Sequence, residues 1–368
     1  MRTWRIGAVV LAGLAASSLA GCGGASAEEP APAYAKSPVP SPAPSAELAA
    51  PGPCPPRPAC DAPPPPPEPA RGFRHTRTGL VTTLGSPQHR GRDLLLTTSA
   101  PQWILGKFAY GPSDKDLSDE DVDVYLLRGC GATWEKIGTF RTTPGEQSHP
   151  PVLGVADQGG QIFVELSKIA RPLDVGRHRV RMVVAGDGSA AELFLEILPP
   201  GARVAVSDID GTLTSSEMAV LDEVATGVVP VAHPGAAQVM HALAGRGYHL
   251  FYLTARPDWL APRTRAWLAH QGFPPGILHT TTTSTGVIGE AAAAFKAAEL
   301  AALRASTGLV PDFAFGNMPS DVATYSGAGI APARAYYYKL TGDLRGGVGH
   351  ADYRTLLPTF AALPALCP

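Results

Sequence analysis

The sequence predicts two folded domains in series: an antiparallel β-sandwich, then an open α/β domain built on a parallel sheet. Three observations carry that prediction. Between Phe73 and Pro200, short alternating runs recur with Gly, Pro, Asp and Ser between them and no helical period. From Gly201 onward, short apolar runs alternate with longer amphipathic or Ala-rich stretches, the rhythm of a sheet covered on both faces. Ahead of both lies a Pro-rich segment with too little apolar periodicity to bury a core.

The elements follow in chain order. Arg2 and Arg5 precede the apolar run IGAVVLAGLAASSLA, which is too short and too rich in small residues for a stable membrane span. The run ends in LAGC and resembles a bacterial lipoprotein signal, which makes 1–22 the signal peptide and Cys22 the lipidated residue. The alternatives are an ordinary signal cleaved near Ala20 or Ala27, or a buried apolar segment. Several acyl chains on one cysteine, each contributing about 0.8 kcal/mol per buried CH₂, give durable attachment. Gly23 stands where the resemblance associates Asp with inner-membrane retention. The expected location is therefore the bacterial cell envelope, lipid-anchored in the outer membrane. Residues 23–72 read as a disordered or polyproline II tether.

Formal net charge is −2 and only 17 % of the 368 residues are charged. No basic patch stands out, so no nucleic-acid partner is expected. Cys54, Cys60, Cys130 and Cys367 remain after Cys22, an even number that points to disulfides outside the cytosol. The expected pairs are Cys54–Cys60 and Cys130–Cys367. Zinc is the rival reading, but no CxxC or His pair has ligand spacing.

The first domain, 73–200, contains DLLLTT, ILGKFAY, VDVYLL, WEKIGTF, QIFVEL, HRVRMVV and ELFLEIL. Seven such strands read as a sandwich of immunoglobulin type, with a hairpin turn at VAGDGSAAE. His149, His178, Asp157 and Asp187 form no catalytic constellation and read as surface or turn residues. In the second domain, 201–368, strands RVAVSD, YHLFYLT, GILHTT, DFAFGN and ARAYYYKL alternate with helices over 234–246, 259–271 and 290–305 and a short one from Pro319.

In an open doubly wound sheet, ligands gather at the carboxyl ends of the strands. The polar residues of this domain fall there. Asp208 and Asp210 follow the first strand, Thr254 and Arg256 the second, and Asn317 and Asp321 the fourth, while Lys296 lies on the helix after the third. Each position has a chemical reason. A carboxylate at Asp208 can attack phosphorus, splitting hydrolysis into two easier steps. Asp210 can protonate the leaving alkoxide and later deprotonate water. Gly211 lets the chain turn so that backbone N–H groups face a phosphate, a role extended here to Thr212 and Ala255. Thr254 offers a hydroxyl, Lys296 offsets charge, and Arg256 either contacts phosphate or braces its loop. Asp208, the Asp210 carbonyl and Asn317 or Asp321 form an oxygen set suited to Mg²⁺, the expected cofactor.

This order of motifs resembles the haloacid dehalogenase-like phosphatases over about 201–340. VSDIDGTLTSSE, YLTARP, FKAAEL and FAFGNMPSDVATY are similar to the lipin/LNS2 family, which includes Mg²⁺-dependent phosphatidate phosphatases and the C-terminal domains of membrane-associated phosphatidylinositol-transfer proteins. The resemblance implies a catalytic domain preceded by a β-sandwich. It also implies that the transfer-protein branch has lost the nucleophile, whereas Asp208 and Asp210 are both present here. No amphipathic N-terminal helix of the lipin kind is evident. The intervals from Asp210 to Thr254 and from Thr254 to Lys296 are each filled by one helix, one strand and their connections. That leaves no room for a cap, and an uncovered site accepts a phosphate carried on a large or membrane-embedded molecule. The leading expectation is a Mg²⁺-dependent phosphatase acting on phosphatidate or a related phospholipid. The alternatives are the same mechanism on soluble phosphoesters or phosphoproteins, and a non-catalytic phospholipid-binding or envelope interaction module.

Overall fold

The computed structural model of the chain describes residues 53–215, 229–283 and 285–367. Cys22, the signal peptide and most of the expected tether lie outside these residues. After helix α1 (Thr76–Thr82), the first domain contains β1 (Arg90–Gly91), β2 (Leu94–Thr97), β3 (Trp103–Lys107), β4 (Ala109–Tyr110) and β5 (Lys115–Asp116). It continues with β6 (Asp121–Leu127), β7 (Trp134–Arg141), β8 (Gln161–Glu165), β9 (Gly176–Val184) and β10 (Ala190–Leu198). A sheet ordered β2-β10-β9-β6-β7 and a second ordered β1-β3-β8 form the sandwich. Strand β9 shows why: Val180, Met182 and Val184 are buried in the core while Arg179 and Arg181 alternate outward.

Two expectations for this domain need correction. β2 runs parallel to β10, not antiparallel. Nearly the whole domain separates those strands, so no tight hairpin imposes the antiparallel direction. His178 and Asp157 are buried rather than at the surface. His178 Nδ1 accepts from Gly129 N–H, and Asp157 accepts from the backbone of His149 and Gly159, so both hold turns from the inside.

The second domain contains β11 (Val204–Ser207), α2 (Ala236–Gly245), β12 (His249–Pro257), α3 (Ala261–His270), β13 (Ile277–Thr281) and α4 (Gly289–Thr307). Then follow β14 (Phe313–Gly316), α5 (Pro319–Gly327), β15 (Ala335–Tyr338), β16 (Val348–His350) and α6 (Leu357–Ala361). The strand order is β13-β12-β11-β14-β15-β16, every pairing is parallel, and the order reverses between β11 and β14. Strand β16 and helix α6 were not expected, being too short to show a period. Successive strand residues serve opposite faces. Leu250 and Tyr252 pack with Val239, Leu243 and Trp267 on one side, while Phe251 and Leu253 pack with Leu300 and Leu303 on the other. The second face also takes in Leu95, Phe194 and Leu198 of the sandwich, so one apolar core runs through both domains. Among the described residues no separate cap stands over the sheet, and no helix is long and apolar enough to cross a membrane.

The cysteines pair differently from expectation: Cys54 bonds Cys367, and Cys60 bonds Cys130. The described part of the proposed tether therefore lies along the body. Residues 53–72 have no regular secondary structure, yet Trp134 Nε1 donates to the Pro63 carbonyl and Arg71 donates to both oxygens of Asp123. Proline denies this segment a ladder but not a docked extended path. One disulfide fastens it to the end of the α/β domain and the other to the sandwich.

Candidate functional site

At the point where the strand order reverses, β11 and β14 end side by side, the position at which this fold binds ligands. Asp208 leaves β11 there, only 4 % exposed, with its N–H donating to the Phe315 carbonyl at 3.0 Å. Lys296 reaches in from α4. Its ammonium lies 2.8 Å from Asp208 Oδ1 and 2.8 Å from Asp321 Oδ1. The side chains at 208 and 321 therefore share one cation, as the sequence reading requires.

Asp321 is fully buried in the first turn of α5. Its second oxygen accepts from the N–H groups of Asn317 and Met318, both at 3.0 Å. Gly316 makes this approach feasible, since a Cβ there would sit 2.6 Å from the Asp321 Cβ. Asp321 is thus committed to the protein on both oxygens and positions Lys296 and the 316–318 turn. Of the two expected alternatives, Asn317 has its amide oxygen joined to Asp208 through the Thr212 hydroxyl.

Thr212 Oγ1 stands 3.0 Å from Asp208 Oδ2 and 2.9 Å from Asn317 Oδ1. The Thr212 hydroxyl lies within reach of both acceptors, so the two oxygens converge on a single point. Among the described residues no three His, Cys, Asp or Glu side chains group as a metal site. The oxygens that Thr212 brings together are one from Asp208 and the amide oxygen of Asn317. That all-oxygen set suits a hard cation that retains several waters, and it fits Mg²⁺.

Asp210 points to the other wall. Thr254 Oγ1 donates to its Oδ2 at 2.8 Å, and the Arg256 guanidinium donates to both oxygens at 2.8–3.1 Å. The pairing of β12 with β13 loses register between Leu253 and Pro257, and such an irregularity re-aims side chains. Thr254 and Arg256, two residues apart, share one face of β12, and both meet Asp210. Arg256 is itself held by the Thr264 hydroxyl of α3 at 3.0 Å, a partner that α3's sequence pattern did not reveal. Ala255 accepts from Val287 N–H through its carbonyl, and Gly211, at φ +67°, donates its N–H to Thr214 Oγ1 at 3.0 Å. Tyr353 was missed as well; its hydroxyl donates to the Thr212 carbonyl at 2.9 Å and steadies the loop from beyond β16.

The electrostatics follow from three carboxylates facing two cations. Burial pushes the Asp208 carboxyl up to about 7, opposed by Lys296 and reinforced by Asp321 and Asp210. Burial would lower the Lys296 ammonium, but Asp208 and Asp321 outweigh it and raise it, so the amine stays charged.

A β-sandwich joined to an α/β domain of haloacid dehalogenase-like architecture, with a carboxylate pair at the strand-order reversal, defines the class. Comparison with known proteins narrows it. Residues 205–339 match the family model described as "PITM 1-3, LNS2 domain", and residues 87–197 match "PITM 1-3, beta-sandwich domain". The human membrane-associated phosphatidylinositol transfer protein 1 is 29 % identical over 266 residues, 72 % of this chain and 19 % of that protein. The Drosophila melanogaster protein retinal degeneration B is 30 % identical over 257 residues, 69 % of this chain and 18 % of its own length. Mouse membrane-associated phosphatidylinositol transfer protein 3 is 30 % identical over 192 residues, 52 % of this chain and 18 % of that protein. The chain spans less than a fifth of the length of these relatives.

Proposed function

We propose that this protein hydrolyses a phosphomonoester carried on a phospholipid, with phosphatidate as the reference substrate, through an aspartyl-phosphate intermediate. The observation that carries the reading is the buried Asp208 carboxylate, fixed between Lys296 and Thr212 at the switch point, with Asp210 two residues on. Asp208 forms an O–P bond while the ester P–O bond breaks, and Asp210 gives its proton to the leaving alkoxide. Water then attacks the aspartyl phosphate as Asp210 takes its proton back. In the resting arrangement Asp210 is held by Thr254 and Arg256. A substrate phosphate offers the same donors better acceptors and so frees Asp210 for proton transfer. Lys296 balances charge at the nucleophile. Asp208, the Asp210 carbonyl and Asn317 would hold Mg²⁺, which supplies charge neutralisation at the phosphoryl oxygens.

The names of the relatives, membrane-associated phosphatidylinositol transfer proteins, support a lipid as the phosphate carrier and favour a second reading, a lipid-binding module without turnover. An acyl anchor on Cys22, placing the site at the outer membrane of a bacterial envelope, belongs to the proposal as well. Phosphate release from phosphatidate vesicles and from a soluble aryl phosphate, with Mg²⁺ or chelator, separates the readings. Mg²⁺-dependent release from phosphatidate that disappears in Asp208→Asn is the expected result. Equal turnover of both substrates would point to a broad phosphatase, and vesicle binding without release to the binding module.

A further inference from the structure

The outermost strand of the parallel sheet, β13, presents an unpaired edge, which a protein normally has to cover. Here the sandwich covers it with side chains. Asp93 Oδ2 accepts from Leu278 N–H at 3.0 Å, Arg92 donates to the Thr280 carbonyl at 3.2 Å, and Arg177 donates to the Gly276 carbonyl at 3.2 Å. The Asp93 main-chain carbonyl meets His279 Nε2 at 2.7 Å. Such contacts would suffice to join two domains.

Residues 90–93 go further, because each charged side chain also grips an element that carries part of the phosphate site. Arg90, 4 % exposed and held bidentately by Asp114, places Nε 2.9 Å from Asp258 Oδ2. Asp258 is two residues beyond Arg256, just past the stretch of β12 that carries Thr254 and Arg256 to Asp210. Asp93, fully buried, receives both terminal nitrogens of Arg265 at 2.9 and 3.0 Å. Arg265 adjoins Thr264, the residue that holds Arg256. Arg92 meets Glu299 Oε1 at 2.5 Å, and Glu299 stands on α4 one turn from Lys296, with its other oxygen 2.6 Å from His279 Nδ1. Three neighbouring side chains of one domain thus hold three elements of the other that help orient Asp210 and Asp208.

We propose that Arg90, Arg92 and Asp93 are positioning residues of the phosphate site, so that the sandwich is a structural part of that site. They touch no reacting atom and act through Asp258, Glu299 and Arg265. Arg177 is the internal comparison. It crosses the same boundary and is equally buried, but it reaches Glu196, which pairs with His249 at the start of β12, and the Gly276 carbonyl just before β13, both at the end of the parallel sheet away from the site.

The kinetic part of the proposal rests on the phosphatase reading; the positioning itself does not, and one experiment separates them. Arg90→Gln, Arg92→Gln and Arg177→Gln are compared in the full chain by phosphate release and by amide hydrogen exchange. The Lys variants at 90 and 92 stand in if a Gln variant does not fold. Loss of a positioning contact to groups that act in the transition state lowers kcat more than it raises KM. Arg90→Gln should lose at least tenfold in kcat with KM within twofold, and exchange at 254–258 should rise at least tenfold. Arg90→Lys should recover part of both. Arg177→Gln should change exchange near 276–278 while kcat stays within twofold. An equal kcat loss in Arg177→Gln, or unchanged exchange at 254–258 in Arg90→Gln, overturns the proposal. Should the wild type release no phosphate from either substrate, the phosphatase reading fails by itself. Exchange then decides: a rise at 254–258 upholds the positioning, and no rise refutes it.

Discussion

Replacing Lys296 by Met tests the balance of charge on which the site depends. The ammonium lies 2.8 Å from one oxygen of Asp208 and 2.8 Å from one of Asp321, carboxylates that are 4 % and 0 % exposed. Methionine fills nearly the same volume, so the loss is electrostatic rather than a cavity. Removing one partner of a buried ion pair costs about 3–5 kcal/mol, because the remaining charge is left uncompensated. The pH dependence follows from linkage. A carboxyl whose folded pKa is raised carries its penalty above that pKa and sheds it as pH falls toward the unfolded value near 4. Lys296→Met should therefore lose about 3–5 kcal/mol at pH 8 and markedly less at pH 5. Urea unfolding in chelator, which keeps a divalent cation from replacing the lost charge, measures both. A loss below about 1 kcal/mol at pH 8, or the same loss at both pH values, would refute the reasoning.

Gly316→Ala puts a methyl 2.6 Å from the Asp321 Cβ and 2.7 Å from its Oδ2, and since α5 anchors Asp321, roughly 1–3 kcal/mol of overpacking should show as a lower thermal midpoint with reduced turnover. Acid should loosen the domain boundary. Burial would raise Glu299 and Glu196, but Arg92 and His279 around the first, and Arg57, His249 and Arg177 around the second, outweigh it and hold each at about 2. Their contribution is therefore present above the unfolded value of 4.5 and lost as pH falls toward 2, and urea midpoints at pH 5 and pH 3 should fall less steeply in Glu299→Gln than in wild type. Non-reducing peptide mapping should recover Cys54 with Cys367 and Cys60 with Cys130; recovery of Cys54 with Cys60 would contradict the docked path of residues 53–72. Cys60→Ser, which opens a bridge spanning 70 residues, should cost up to about 4 kcal/mol by loop-entropy arithmetic.

The strands and helices were legible where each residue's neighbours in sequence settle its environment. Strand β9 alternates visibly, and β11, β12 and β14 are short apolar runs followed by the polar residues they display. The same local logic put Asp208, Asp210, Thr254, Lys296 and Asn317 at strand ends or on the adjoining helix, and their side chains meet in one contact network at the strand-order reversal. Legibility failed where pairing joins distant parts of the chain. The direction of β2, the cysteine partners and the supports offered by Thr264 and Tyr353 leave no local trace. A partner's identity depends on which surfaces meet, and composition does not encode that.

By itself, the sequence determined the two-domain order, the parallel sheet and the carboxylate pair that closes its first strand. These follow from residue periodicity, glycine placement and the need of apolar side chains to be covered, all of which act over a few residues. Only the tertiary structure decided that Asp321 holds Lys296, that Arg256 grips Asp210, and that the sandwich seals the edge of β13. Those outcomes come from buried charges seeking counter-charges across long separations, and a buried ion pair exists only once the chain has brought its two halves together.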